Sequence, residues 1–309
     1  MLFPIINGNT TERKTWMKQK VTKSLREDVI FIAPTFLFYV FVVVIPFIFG
    51  IYYSMTDWNG ISASSNWTGL DNFKNIFMHD VDFAQSFWFT SRVSVVIVVL
   101  SNLLGFALAY MLTKPLRSRN ALRTLFFIPN VLGGVLLGFI WQFIFTRGFA
   151  TIGELTGIGF FELSWLGTSN TSFWAIVIVK VWQEAGYVMV IYIAGLMNVP
   201  SELKEAIDID GADSWQKLRH LTLPLIMPAI TVCLFWSISV AFKMFDVNYS
   251  LTSGGPFRST ESIAMNIYFE AFQYNRFGLG TAKALIYFVA ILVITSVQVY
   301  ITKRKEVEA

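Results

Sequence analysis

Six apolar runs divide the chain, at residues 29–53, 93–112, 124–145, 173–197, 225–245 and 284–301. Each is near the roughly 17–25 residues that a helix needs to cross the hydrocarbon of a bilayer. Lipid offers no partner for backbone N–H and C=O groups, so helices are the form such runs take. The first run is longer than the roughly 7–15 residues of a signal-peptide core and reads as an uncleaved span. The pattern therefore predicts an all-α membrane protein with six transmembrane helices. It divides into a polar tail (1–28), the first span with its following loop (29–85), a core of five spans (86–302) and a short tail (303–309). The longest polar stretch with helical periodicity, 198–224, joins the fourth and fifth runs.

Composition supports lipid as the solvent. Hydrophobic residues make up 55% of the chain and charged residues 14%, against about 25% charged in soluble domains. The charge is sorted by side. Outside the runs, sixteen Lys and Arg fall in the tails and in the loops that contain Lys114 and Lys204. Four fall on the alternate side: Lys74, Arg147, Arg258 and Arg276. The positive-inside rule places both termini, and the 198–224 loop, in the cytoplasm. The net charge of +4 is thus a topology signal rather than a nucleic-acid footprint. Trp58, Trp67, Trp88 and Trp165 lie on the outer side and fit an interfacial aromatic belt. The single Cys233 sits in an apolar run and reads as packing. His79 and His220 are isolated, so no metal site is expected. No GxxxxGK[ST] phosphate loop occurs, and ATP hydrolysis by this chain is not expected.

Polar residues inside the runs mark candidate chemistry. In the fourth, Lys180, Gln183, Glu184 and Tyr187 share one helical stripe at mid-span. Charges at that depth are costly and normally face a bundle interior or a water-filled cavity. A self-neutralising packing pair is the plainer reading; Gln183 and Tyr187 on the same face favour a polar cavity. The third run holds Pro129-Asn130, a kink or a site, and Gly134 and Gly138 at small-xxx-small spacing for close helix approach. At the outer end of the fifth run and just past it, Met244, Asp246 and Asn248 are placed to line the same cavity. Lys243, Arg92 and Lys283 sit at outer span ends, where snorkelling is expected.

The 198–224 loop reads as two short helices. Pro200-Ser201 opens the first, with Leu203, Ala206 and Ile207 on one face. Gly211 suits a left-handed stop. Asp213 with Gln216 forms a capping-box pattern for the second. Glu202, Glu205 and Asp208 argue against a helix pair lying on the negative inner leaflet.

Glu205-Ala206, then Gly211-Ala212, then nine residues after the glycine Leu221-Thr222-Leu223-Pro224, resembles the EAA loop of bacterial ABC importer permeases. Ile207 and Leu221 depart from the usual residues there but remain hydrophobic. Trp67-Thr68-Gly69-Leu70-Asp71-Asn72-Phe73, Leu251-Thr252-Ser253-Gly254-Gly255-Pro256 and Phe277-Gly278-Leu279-Gly280 are similar to segments of the sugar permeases of the maltose and glycerol-phosphate type, first-permease subgroup.

The resemblance implies a second permease subunit, two ATPase subunits that hold ATP and Mg, a solute-binding protein and a carbohydrate cargo. It implies no cofactor on this chain and no enzyme activity of its own. Glu205, Ala206, Gly211, Ala212, Leu223 and Pro224 would form the coupling loop that docks on the ATPase. Matching the family's sugar contacts onto this chain gives Asn130, Lys180, Gln183, Glu184, Tyr187, Ala241 and Met244. The charged Lys180 and Glu184 hint at an acidic or decorated sugar. The alternatives are a secondary transporter relaying protons through Lys180 and Glu184, an intramembrane enzyme using Glu184, and a passive scaffold.

Overall fold

A computed structural model describes residues 30–306. The basic tail at 1–28 and the last three residues lie outside the described residues. The first span, α1 (Ile30–Ser54), carries one π turn at Val40–Val44. It belongs to a compact unit that ends at Tyr53, and the chain from Ser54 onward forms a second unit.

The second unit begins with α2 (Asp71–His79) and α3 (Val81–Leu112). Then come α4 (Arg119–Val131), α5 (Gly134–Thr156), α6 (Gly159–Glu162) and α7 (Ser169–Met197). Next are α8 (Ser201–Ile209), α9 (Ser214–Leu225), α10 (Met227–Phe242), α11 (Asp246–Thr252), α12 (Ile263–Tyr268) and α13 (Phe277–Lys303). Among the described residues the only β pairing is an isolated bridge between Thr56 and Trp67. Among the described residues five helices are long and apolar enough to cross a bilayer: α1, α3, α5, α7 and α13. The sixth expected span is a bent pair, α9 and α10, with a 71° angle between them.

Two runs fold differently from the expectation. The third run is not one helix. It divides into α4 and α5 at Leu132 and Gly133, both extended, with ψ of 134° and 135°. Pro129 has no N–H to give to the preceding turn, and the chain leaves the helix three residues later. The membrane-length helix therefore starts at Gly134 and runs beyond 145 to Thr156. The fifth run is broken at Ile226 (φ −91°, ψ 9°), between Pro224 and Pro228, each of which removes a helical donor. What remains in α10 is 16 residues.

The two loop helices match the expected caps. The Asp213 carboxylate accepts from the N–H groups of Trp215 and Gln216, while the Gln216 side chain accepts from the Asp213 N–H. Gly211 sits at φ +74°, where a Cβ is strained.

Helix α7 is the hub of the second unit, packing against α3, α4, α10 and α11. Its close contacts run through glycine. A Cβ on Gly186 would overlap the Phe126 carbonyl of α4. A Cβ on Gly105 of α3 would lie 3.0 Å from the Ala185 carbonyl oxygen, and one on Gly195 would lie 2.6 Å from Ala229 Cβ in α10. Small residues let backbones approach where lipid supplies no hydrophobic drive between helices. Polar groups join three of these helices, α3, α7 and α10. Tyr192 OH donates to Asn102 Oδ1 at 2.9 Å, and Asn102 Nδ2 donates to Ser237 Oγ at 3.0 Å. Cys233 is fully buried beside Val188, consistent with packing. Trp165, expected at the interface, is instead 5% exposed, stacked on Phe145 and edge-on to Phe149. Trp67 and Trp88 are exposed.

The Gly186 contact makes a direct expectation. Gly186→Ala has to push two backbones apart, an overpacking cost of about 1–3 kcal/mol or more. Gly148, with nothing near its Cβ position, tolerates Ala, a better helix former by up to about 1 kcal/mol. Thermal melts of detergent-purified protein should show Gly186→Ala lowered and Gly148→Ala unchanged or raised.

Candidate functional site

A cavity of about 380 Å³ lies between α7, the start of α5 and the segment that joins α10 to α11. Lys180 and Gln183 line it from α7. Val240, Lys243, Met244, Phe245, Asp246 and Val247 line it from the other side, and Gly134 closes it at the first residue of α5.

Local sequence explains this shape. The small-xxx-small pair seats α11 on α5: a Cβ on Gly134 would lie 2.7 Å from Asp246 Cβ, and one on Gly138 would overlap Ser250 Oγ. The approach sets the exposed Asp246 carboxylate at the positive end of α5. The turn at 243–245 is held from behind. Ser262 Oγ donates to the Met244 carbonyl at 2.9 Å, and Asn248 Nδ2 donates to the Thr260 carbonyl at 3.0 Å. The break between α4 and α5 contributes as well. It leaves the Leu132 carbonyl outside a helix, and Gln183 Nε2 reaches it at 3.5 Å.

Charge lies at two depths. Lys180 Nζ stands 2.8 Å from Glu184 Oε1 and donates to Gln183 Oε1 at 3.1 Å. Glu184 is 1% exposed, and Lys180 is the one partner its carboxylate has among the described residues. Lys180 is thus shared between a buried carboxylate behind it and the cavity in front. Lys243 and Asp246 are exposed on the cavity wall. The wall offers ammonium, carboxylate and amide groups beside the apolar Met244 and Phe245, a surface suited to hydroxyls and sugar faces.

Lys180, Gln183, Met244 and Asp246 come together as cavity residues, with Glu184 joined through Lys180. Four other expected residues stand apart. Ala241 is fully buried in the core, and Asn248 is buried and braces the turn. Tyr187 stacks on Trp236, with centroids 4.1 Å apart. Asn130 is half-buried near the end of α4. Lys243, expected to snorkel, lines the cavity instead, because the chain turns at 243–245.

A second polar cavity, about 330 Å³, lies at the other ends of α3 and α13. It corrects the reading of Lys283. That side chain does not snorkel but is 1% exposed. Its Nζ meets Glu270 Oε2 at 2.5 Å, Asp80 Oδ2 at 2.7 Å and Asn266 Oδ1 at 3.0 Å. Arg276 Nε lies 2.6 Å from Glu270 Oε1. Through Asn266 the network reaches Glu261, which pairs with Arg258, and Arg258 pairs with Asp82. It ties the start of α3 to α12, α13 and the 253–262 loop. The ties from Asp80 to Lys283 and from Asp82 to Arg258 are long-range, and no local spacing announced them.

The pattern of a known family, the inner membrane component of binding-protein-dependent transport systems, matches residues 101–307. The chain belongs to this family. The permease is 50% identical to a probable starch degradation products transport permease of Thermoanaerobacterium thermosulfurigenes, over 90% of this chain and 94% of that one. It is 34% identical to a multiple sugar-binding transport permease of Streptococcus mutans, over 85% and 90% of the two chains. A trehalose/maltose transport permease of Thermococcus litoralis is 32% identical over 74% and 77%. Its fold matches a chain of a bacterial ABC transporter involved in the import of the acidic polysaccharide alginate. There the TM-score is 0.77 at 22% identity, covering 92% of this chain and 99% of that one. Family membership sets aside the ion-gradient transporter as a reading of Lys180 and Glu184.

Breaking the second network tests its structural role. Lys283→Met leaves Asp80, half-buried, without its cation and the buried Glu270 with Arg276 alone, a loss of up to about 3–5 kcal/mol. The melting temperature of the purified permease should drop sharply, whereas Arg92→Met, at a helix surface beside Trp88, should leave it within a degree or two.

Proposed function

We propose that the permease is the transmembrane subunit of an ATP-driven importer for a sugar or oligosaccharide, and that the cavity at Lys180 and Asp246 lies on the sugar's path. The observation that carries this reading is the convergence, on a family core, of amide, carboxylate, ammonium and apolar groups in one cavity between the helices. The names of the relatives, for starch degradation products, multiple sugars and trehalose/maltose, support carbohydrate as the cargo. The charged walls suit an acidic or decorated sugar as well as a neutral one.

In this proposal both termini and the α8–α9 loop face the cytoplasm, as the Lys and Arg distribution favours. A second permease completes the pathway. A solute-binding protein delivers cargo from outside, and two ATPase subunits below hold ATP and Mg. The rigid turn at Gly211 and the capping box at Asp213 support α8 and the start of α9 as a lever. Glu205, Ala206 and Ala212 would meet the ATPase, while Leu223 and Pro224 begin the bend into α10. ATP-driven closure of the ATPases pushes the lever, and the bent α9–α10 pair passes the motion to the cavity wall at 243–246. The cavity then opens alternately to the two sides, a two-state equilibrium biased by nucleotide.

Two sets of variants test the two halves. Glu205→Ala, and Gly211→Val at its left-handed φ, should lower uptake and binding-protein-stimulated ATPase activity by about tenfold, the equivalent of about 1.4 kcal/mol of coupling. Membrane insertion should be intact; wild-type uptake in both would refute the lever. In reconstituted complexes offered neutral and acidic oligosaccharides, Lys180→Gln should depress uptake of acidic sugars more than of neutral ones. Equal effects on both would remove Lys180 from cargo selection.

A further inference from the structure

A third cavity, of about 360 Å³, sits where α3 and α7 end and α8 and α9 begin. None of the residues assigned above to the sugar path lines it. Its floor is apolar: Leu196 and Val199 are buried, and Ile207 and Leu221 are half-buried. Its rim is basic. Lys114, Lys204 and Lys217 border it, against one acid, Asp208. Lys217 Nζ is 2.5 Å from Asp208 Oδ1, so this pair is neutral. Lys114 Nζ lies 5.3 Å from the ring centre of Tyr110, an aromatic face that accommodates a cation without neutralising it. Lys204 is exposed on α8. Two positive charges therefore remain over an apolar floor, level with the ends of two membrane-length helices.

We propose that this cavity binds the phosphate-bearing headgroup of an anionic phospholipid from the cytoplasmic leaflet. The headgroup phosphate accepts from Lys114 and Lys204, and the glycerol end with the first acyl carbons covers Leu196, Val199 and Ile207. A free phosphate would use the lysines but not the floor. A neutral lipid would use the floor but leave the two charges unanswered. Basic pockets at the cytoplasmic ends of spans recognise anionic headgroups in this way. One wall of the cavity belongs to the ends of the spans and the other to the α8–α9 loop. A bound lipid would therefore brace the loop against the membrane body. The inference rests on the cytoplasmic placement of this loop proposed above.

The test is native mass spectrometry of the assembled transporter, purified in detergent and supplied with phosphatidylglycerol or with phosphatidylethanolamine. Wild type should retain one more phosphatidylglycerol than the Lys114→Gln/Lys204→Gln variant. The Lys114→Arg/Lys204→Arg variant, which keeps the charge, should retain it as wild type does. Phosphatidylethanolamine should be retained equally by all three, and 10-fold molar excess of inorganic phosphate over phosphatidylglycerol should not displace the extra lipid. Equal phosphatidylglycerol retention by wild type and the Gln variant would overturn the proposal, and so would displacement by inorganic phosphate, which would mark a free-anion site. Loss of assembly in the Gln variant is covered by the single substitutions, each of which should lower retention. The lipid count needs no transport, so its failure is separable from failure of the sugar-import reading. Labelling a cysteine placed at Lys204 from either side of sealed vesicles checks the orientation independently.

Discussion

The backbone of α7 meets the backbone of α4 at Gly186, where the Phe126 carbonyl occupies the space a side chain would need. In lipid, apolar side chains gain little by turning toward one another, so helices hold together through close backbone packing and a few polar ties. The Gly186 contact and the glycine contacts at Gly105 and Gly195 fix the position and rotation of α7 against three neighbours. Within two turns before Gly186 on the same helix come Lys180, Gln183 and Glu184. Their direction is therefore set by glycines that carry no chemistry themselves. The break at Leu132 and Gly133 belongs to the same arrangement, because Gln183 reaches the carbonyl that the break releases.

Two clusters of buried charge are built on this frame, and they differ in kind. Around Lys283 nearly every charge is answered: two carboxylates and an amide converge on one ammonium, and Arg276 takes the other oxygen of Glu270. Such a site holds the start of α3 to α12 and α13. Around Lys180 the pairing is incomplete. Glu184 has Lys180 as its single partner among the described residues, and Lys180 also faces an open cavity. Burying an ion pair rarely beats an apolar pair for stability alone. The unfinished coordination at Lys180 is what a binding wall requires, whereas the finished network at Lys283 is what a clamp requires.

Features that depend on neighbours in the chain were legible in the sequence. The capping box at Asp213, the left-handed turn at Gly211 and the grouping of Lys180, Gln183 and Glu184 on α7 follow from spacing and stand in the structure, whereas Tyr187 stacks on Trp236 instead. The close-packing role of Gly134 and Gly138 was legible too, although its partner, α11, was not. Features that depend on distant residues were hidden. Hydropathy averages over a window, so it ran α4 and α5 together across the two extended residues at 132–133 and read α10 past its break. Lys283 looked like a snorkelling lysine because its carboxylates come from Asp80 and Glu270. Asn248 looked like a lining residue because the Thr260 carbonyl that claims its amide is in a later loop. The cavity itself could be half read: Lys180 and Gln183 were visible as polar residues at mid-span, and Met244 and Asp246 as soft or polar residues at a span end. Lys243 was not, since only the turn at 243–245 directs it toward α7.

The measurement that bears most directly on the cavity as the sugar's path is protection from thiol labelling. The chain's one cysteine, Cys233, is fully buried, so Gln183→Cys supplies the reactive thiol. The assembled transporter, held in its ATP-bound state, would be labelled with a small hydrophilic thiol reagent with and without cargo delivered by the binding protein. Slower labelling at position 183 when cargo is present, with no change at a cysteine placed at the exposed Thr156, is the expected result. Equal labelling rates at 183 with and without cargo would contradict the assignment of the cavity.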